Sequence, residues 1–475
     1  MQAEDTIDAF RRAGQGQVFR FWSKLDEDQR ARLLKQARAI DLREVDRLVD
    51  TLVRGSGEHG PDLDGLEPAP YIPLPANGGD PDRWQQATET GEASLRAGKV
   101  AAFTVAGGQG TRLGFDGPKG TFPVTPVRQA SLFQVFSEKL QAAAERYGKP
   151  VPWFIMTSPV NHAATLTFFE DHDWFGLGEE RVHLFSQGTM PAVDPEGNIL
   201  LAAPDRIAVS PDGHGGSLRA LVRSGATATM AKTGIEVLSY FQVDNVLVRC
   251  IDPAFIGFHL EAGADMSSKM VEKAYPEEKV GHFCVQDSHQ VVIEYSDMPE
   301  KLQQARDEDG KLTYRAGSIA IHCLSRRFVE KVGSDETPDF SLPFHRADKK
   351  IPTVDEDGNS FDPEKPNGIK FEMFVFDALP VARNPVILET AREDDFSPVK
   401  NAEGRDSAET ARQDQLRQWT RWLKAAGVDL ETDETGLPGF TFEIVPTFAD
   451  SERACVAAWQ ALDEKPAIED GTVLG

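Results

Sequence analysis

Hydrophobic positions change their spacing along the chain, and each change predicts a new kind of element. From residue 1 to about 54 the period is helical. In LDEDQRARLLKQARAI, Leu33, Leu34, Ala37 and Ile40 fall at helix spacing, and acids from Asp26 to Asp28 fill the first turn, where the helix dipole favours them. Between Gly55 and about Pro81 the period lapses. PDLDGLEPAPYIPLPANGGDP is dense in proline and glycine and predicts an extended connector laid over the surface rather than an element. A short helix then runs up to residue 97.

From residue 98 to 405 strand-like and helix-like segments alternate. Val100 to Ala106 predicts a strand, and SLFQVFSEKLQAAAERYG a helix capped by Ser131 and stopped by Gly148. PWFIMTS is a buried strand, and NHAATLTFFEDHDW a helix opening at Asn161. RVHLFS and EVLSYFQVD (Glu236 to Asp244) are further strands, and DPAFIGFHLEAGA is helical. Such alternation means an α/β fold with a mostly parallel sheet covered on both faces. HFCVQDSHQVVIEYSDM predicts a hairpin inserted into that layer. A last region, 406–475, opens with the helix ETARQDQLRQWTRWLKAAG and ends in GFTFEIVPTF and a loose acidic tail.

Ligands of open α/β sheets bind beyond the carboxyl ends of the strands. At one such end stands AGGQGTRLGFDGPKG, which gathers six of the 40 glycines, Gly107, Gly108, Gly110, Gly114, Gly117 and Gly120, together with Arg112 and Lys119. Gln187 follows RVHLFS and Asp244 ends EVLSYFQVD, so three strand ends point to one site. Glycine allows positive φ and lets main-chain N–H groups come close to a ligand, and a strand-to-helix turn of this kind cradles anions. The loop is not a Walker A motif, because Pro118 precedes Lys119 and Gly120 follows it. Nor is it the dinucleotide fingerprint: after Gly108 and Gly110 the third glycine position holds Leu113.

Composition narrows the field further. The 475 residues, 40% hydrophobic and 27% charged, suffice for two or three domains with a sizeable core. Lysine and arginine total 51 against 76 acids, a net charge of −25, which argues against nucleic-acid or anionic-membrane partners. A local cationic pocket still binds an anion, since distant surface charge is screened over about 8–10 Å. The four cysteines, Cys250, Cys284, Cys323 and Cys455, form no C-x-x-C pair and are expected to be free thiols of a reducing cytoplasm. MQAEDTIDAF lacks the features of a secretory leader, and no apolar run reaches membrane-spanning length. His162, His172 and His183 lack zinc-ligand spacing, and the acid run Glu393–Asp395 is expected to be solvated surface.

AGGQGTRLG followed by GPKGTFPV resembles the signature of sugar-nucleotide pyrophosphorylases. FSQGTMPAV, SPDGHGG, VDNVLV, MVEKAYPEEKVG, VIEYSDM, AGSIAIH, KPNGIKFEMFVFD and REDDFSPVKNAEG follow in family order. The N-terminal GQGQVFRFWSKLDEDQ is similar to the helical extension of the UDP-N-acetylglucosamine pyrophosphorylases. The likeness runs to about Gly427. It implies a Rossmann-like nucleotidyltransferase fold of the glycosyltransferase-A type: a mixed sheet flanked by helices, a helical N-terminal extension and a small C-terminal α+β region. The implied reaction joins UTP and a sugar 1-phosphate into a UDP-sugar and pyrophosphate.

The resemblance also assigns residues. Gly107, Gly108, Gly110 and Thr111 would lie against the nucleotide, with Gln187, Pro211 and Gly213 reading the uracil. Arg112 would hold the leaving phosphates, Lys119 the α-phosphate region, and Lys400 the phosphates from the opposite side. Asp244 would bind Mg²⁺. His214, Glu294, Arg315, Gly317 and Phe376 would border the sugar. The chemistry asks for these types: a phosphate oxygen needs no general base, so catalysis is in-line positioning plus charge neutralisation. Two motifs depart from the N-acetylglucosamine pattern. His214 stands where those enzymes have asparagine, and Arg315-Ala316-Gly317-Ser318 replaces N-A-G-N. N-acetylglucosamine 1-phosphate is the expected sugar substrate, with glucose 1-phosphate or a broad range as the alternative. A nucleotide-sugar-binding protein without turnover would be expected to lack some of Arg112, Lys119, Asp244 and Lys400, and all four are present.

Overall fold

A computed structural model describes residues 3–55, 63–337 and 340–475. The chain forms two compact units, each assembled from separate segments. The second unit comprises 63–186, 218–340 and 378–475 and is built on a ten-stranded mixed sheet.

Strand Val100–Val105 lies at the sheet's centre, parallel to Val237–Gln242 on one side and Trp153–Thr157 on the other, with Val182–Ser186 beyond. Apart from Val182–Ser186, these strands are almost continuously buried, as a sheet covered on both faces requires. Helix Leu132–Tyr147 has Ser131 at its N-cap, accepting from the Gln134 N–H, and Gly148 in the left-handed conformation at its end. Strand Ala316–Ser325 is antiparallel to Val237–Gln242 and carries the sheet onward to Met266–Glu272 and Gly281–Gln286. Gly281–Gln286 and His289–Ile293 form the expected hairpin, closed by Asp287 and Ser288 at positive φ, the geometry of a two-residue hairpin turn.

Helix Pro81–Arg96 crosses helix Pro253–Glu261 with their backbones in contact at two glycines. A Cβ on Gly91 would lie 1.8 Å from the Pro253 carbonyl oxygen, and one on Gly257 1.7 Å from that of Ala87. Two reciprocal glycines therefore let the backbones touch.

The proline-rich connector was expected to be surface coil. Residues 56–62 of it lie outside the described residues, but the remainder joins the sheet. Glu67–Pro68 pairs with Gly281–Gln286, and Ile72 bridges Leu388. Proline is tolerated there because the strand is an edge. The side chain of Glu389 then accepts from the Leu74 N–H and the Asn77 amide. The acidic tail is likewise ordered rather than loose: helix Glu452–Ala461 packs on Ala408–Ala425, and Thr472–Leu474 runs parallel to Phe442–Ile444. Trp419, Trp422, Leu423, Phe442, Cys455 and Trp459 form a separate apolar core that supports this region. Buried Glu443 docks it by accepting from the Arg128 Nε–H at 2.6 Å, while the same guanidinium meets Glu138 at 2.7 and 2.8 Å.

The first unit comprises 1–62, 187–217 and 341–377. Its helices Ala3–Arg12, Glu27–Ala39 and Leu42–Leu48 confirm the helical N-terminus, and Asp26 and Gln29 form a capping box. Short two-stranded ribbons follow, among them Thr189–Pro191 with Val209–Pro211 and His345–Lys349 with Gly368–Glu372. The buried Gln15 ties helix to ribbon: its amide donates to the Gly197 carbonyl and accepts from the Ile199 N–H.

Candidate active site

In the second unit the glycine loop leaves the central strand and folds back on itself. The Gly110 N–H donates to the Gly117 carbonyl and the Lys119 N–H to the Gly108 carbonyl. Phe115 and Phe133 explain two of the glycines without any ligand. A Cβ on Gly110 would stand 2.7 Å from the Phe115 ring, and one on Gly120 2.2 Å from the Phe133 ring. Gly108 differs, for a Cβ there would meet nothing nearer than 4.0 Å, so its bare face is open.

Lys119 returns from this loop to the strand end that bears Asp244, placing Nζ 3.7 Å from the carboxylate, with both side chains largely buried. Asp244 stands in turn against the segment that carries Lys400: the Val399 N–H donates to the Asp244 carbonyl at 2.8 Å. The Lys400 ammonium lies 5.7 Å from the centre of the Phe396 ring. Arg112 and Thr111 are exposed on the loop. The structure thus brings the glycine loop, Lys119, Asp244 and the base of Lys400 together.

Glu294 and Gly317 flank strand Gly281–Gln286. Gly317 pairs with His282, and Glu294 Oε1 comes within 3.7 Å of where a Cβ on Gly281 would be. Arg315 is adjacent in sequence, but its guanidinium is taken up by Asp307 and the Leu312 carbonyl, so the side chain serves the loop before its own strand.

In the first unit Gln187 is buried and Pro211 ends the ribbon Val209–Pro211. Gly213 has φ of +84°, and a Cβ there would strike the Met373 carbonyl oxygen at 2.4 Å. His214 follows. The Val375 N–H donates to its Nδ1 at 3.1 Å, and its ring stacks on Phe374, with Phe376 5.8 Å away. Burial, assisted by nearby His345, pushes the His214 pKa down to about 4. The imidazole is therefore neutral at physiological pH. With Nδ1 accepting, Nε2 carries the proton and is a donor.

Sequence reasoning missed several supporting residues. Asn161, where the helix opens as expected, makes no side-chain cap bond; its amide donates to the carbonyls of Ala106 and Gly108, bracing the glycine loop. The expectation that Glu393–Asp395 is solvated fails at Asp395, which is fully buried with Lys269 Nζ 2.5 Å away. A buried acid needs a partner, and the partner lies 126 residues earlier, where no local pattern shows it. Lys273 and His282 form a second buried pair, 2.5 Å apart, beside Gly317. Burial and then the Lys273 charge push His282 down to about 4, so its Nε2 accepts from the ammonium.

A single protein carboxylate suits Mg²⁺, which keeps most of its ligands as water and phosphate oxygens. Asp244 offers that carboxylate, and among the described residues no group of three or more His, Cys, Asp or Glu forms a competing all-protein metal cage.

The UTP–glucose-1-phosphate uridylyltransferase family model matches residues 80–405. The human UDP-N-acetylhexosamine pyrophosphorylase-like protein 1 is 41% identical over 446 residues, covering 90% of this chain and 87% of its own. The Saccharomyces cerevisiae UDP-N-acetylglucosamine pyrophosphorylase is 36% identical, covering 89% of this chain and 91% of its own. The crystal structure of the Trypanosoma brucei UDP-N-acetylglucosamine pyrophosphorylase in complex with an inhibitor has a TM-score of 0.83 and 27% identity, covering 100% of this chain and 98% of that one. With the glycine loop, Lys119 and Asp244 arranged as described, the chain belongs to the UTP–glucose-1-phosphate uridylyltransferase family.

Proposed function

We propose that the protein is a uridylyltransferase that makes UDP-N-acetylhexosamine and pyrophosphate from UTP and N-acetylglucosamine 1-phosphate. The observation that carries the site assignment is the Lys119–Asp244 pair at 3.7 Å beside the open face of Gly108. A sugar-phosphate oxygen attacks the α-phosphorus of UTP; the new P–O bond forms as the bond to the β-phosphate oxygen breaks, and pyrophosphate departs. No proton has to be removed from the nucleophile. Both reactants are anions, so the work left to the protein is alignment and neutralisation.

Lys119 stabilises charge at the α-phosphate, Arg112 at the leaving phosphates and Lys400 from the opposite side. Gln187, Pro211 and Gly213 read the uracil; the Gln187 amide can donate and accept, as a pyrimidine edge requires. Asp244 would hold Mg²⁺, which would supply positive charge at the phosphates. Glu294, Gly317, His214 and Phe376 border the sugar. The neutral His214 offers one Nε2–H donor where an asparagine would offer an amide, which keeps glucose 1-phosphate as the second reading. The four buried free cysteines fit a reducing cytoplasm. Among the described residues no helix is long and apolar enough to cross a membrane.

Pyrophosphate release from UTP with MgCl₂ and each of several sugar 1-phosphates tests this. N-acetylglucosamine 1-phosphate is expected to give the highest kcat/KM. Release only with glucose 1-phosphate would move the sugar assignment, and no release with any sugar would overturn the activity.

A further inference from the structure

Asp244 and Lys400 come from segments more than 150 residues apart, yet their backbones are stitched together by one buried side chain. The Asn245 amide donates from Nδ2 to the Asp395 carbonyl at 2.6 Å and accepts at Oδ1 from the Ser397 N–H at 2.9 Å. Beside these two bonds runs the one from Val399 to the Asp244 carbonyl. Asn245 is 4% exposed and Asp395 and Val399 are 0%.

The Asp395 end of the clamp is itself anchored. Its carboxylate accepts from the Arg249 N–H at 2.9 Å and from Thr390 Oγ1 at 2.5 Å, and meets the Lys269 ammonium at 2.5 Å. Lys269 projects from the sheet strand Met266–Glu272 and also pairs with Asp252 at 2.7 Å. Asp252 in turn caps helix Pro253–Glu261. The sheet, a helix N-terminus and the loop bearing Arg249 thus fix Asp395, Asp395 fixes Asn245, and Asn245 fixes the two segments that end in Asp244 and Lys400. Ser397 adds a bond from its hydroxyl to Asp414 on helix Ala408–Ala425.

We infer that Asn245 is a positioning residue for uridylyl transfer: its amide, braced by the buried Asp395–Lys269 pair, sets where the Lys400 ammonium stands relative to the Asp244 carboxylate. This rests on the roles given to Asp244 and Lys400 above. Asn245 touches no reacting atom and acts through Lys400. A misplaced cation costs transition-state stabilisation more than substrate binding, so the loss appears in kcat.

The test uses the full chain and four proteins: wild type, Asn245→Ala, Lys400→Ala and the double variant. Pyrophosphate release from UTP and N-acetylglucosamine 1-phosphate is measured together with hydrogen exchange at the Val399 amide. For Asn245→Ala the expected result is a fall in kcat of about 30-fold with KM for UTP within about threefold, and faster exchange at Val399. In the Lys400→Ala background the same change is expected to cost less than about threefold more, because residues acting as one unit are non-additive. Fully additive losses, or an unchanged kcat, would overturn the proposal. If Asn245→Ala does not fold, Asn245→Asp serves. It keeps the size and the acceptor for Ser397 but loses the donor to Asp395, and a kcat equal to wild type would overturn the proposal. If wild type releases no pyrophosphate with any sugar, the uridylyltransferase reading fails instead. The clamp then stands or falls on Val399, whose protection must drop in the variant.

Discussion

His259 shows what burial does to a single side chain here. Its Nδ1 lies 2.9 Å from the Ser267 hydroxyl and its Nε2 3.1 Å from that of Ser325, with 1% of the residue exposed. Burial pushes its pKa down to about 4, only partly offset by Asp265, and His214 and His282 are also pushed down to about 4. Unfolded, each titrates near 6.5. Between those values the unfolded chain binds more protons than the folded one. The stability is therefore complete above about pH 6.5 and is lost as pH falls toward 4. Linkage puts the loss at about 2 kcal/mol per histidine at pH 5. Melting temperature should fall between pH 7 and pH 5, and His259→Gln should show a shallower fall than wild type. A melting temperature flat across that interval would contradict the account.

At the scale of elements, the helix pair Pro81–Arg96 and Pro253–Glu261 depends on Gly91 and Gly257 facing the other backbone. Gly257→Ala would put a methyl 1.7 Å from a carbonyl oxygen, which only separation of the helices relieves. Overpacking of this kind costs about 1–3 kcal/mol or more, so a clear drop in melting temperature is expected. Unchanged melting would mean the helices do not meet as described. Nothing in the sequence around Gly91 and Gly257 announced the crossing. Each glycine is needed because of a carbonyl on the other helix, and that is a property of packing. The same distinction applies in the glycine loop, where Gly110 and Gly120 answer to Phe115 and Phe133 while Gly108 stays open. Strands such as Val100–Val105 and Trp153–Thr157 were legible because both faces are buried, leaving an unbroken apolar run. The edge strand Glu67–Pro68 was not. Two residues held by pairing with a distant strand leave no period to read, and prolines suggest coil.

For the whole molecule, the order of motifs along the chain indicated the family, while the assembly of each unit stayed hidden. Residues 187–217 and 341–377 join the N-terminal helices in one unit through long-range contacts such as Gln15 with Gly197, which leave no local trace. The acidic tail misled because its charge suggested solvation; Trp459, Cys455 and Leu474 bury one side of it against Trp419 and Trp422. Of the expected site, Lys119 and Asp244 do meet, and the amide next to Lys400 reaches Asp244. The buried residues that align them, Asn161, Asn245, Lys269 and Asp395, were illegible because their partners lie far away in sequence. The proposed catalysis depends on Asp244 and Lys119 serving one phosphate site. Pyrophosphate release by wild type and Asp244→Asn, titrated with MgCl₂ at saturating UTP and N-acetylglucosamine 1-phosphate, tests that most directly. In the variant kcat is expected to fall by about 100-fold or more, with a higher Mg²⁺ requirement. A variant that matched wild type at every Mg²⁺ concentration would contradict it.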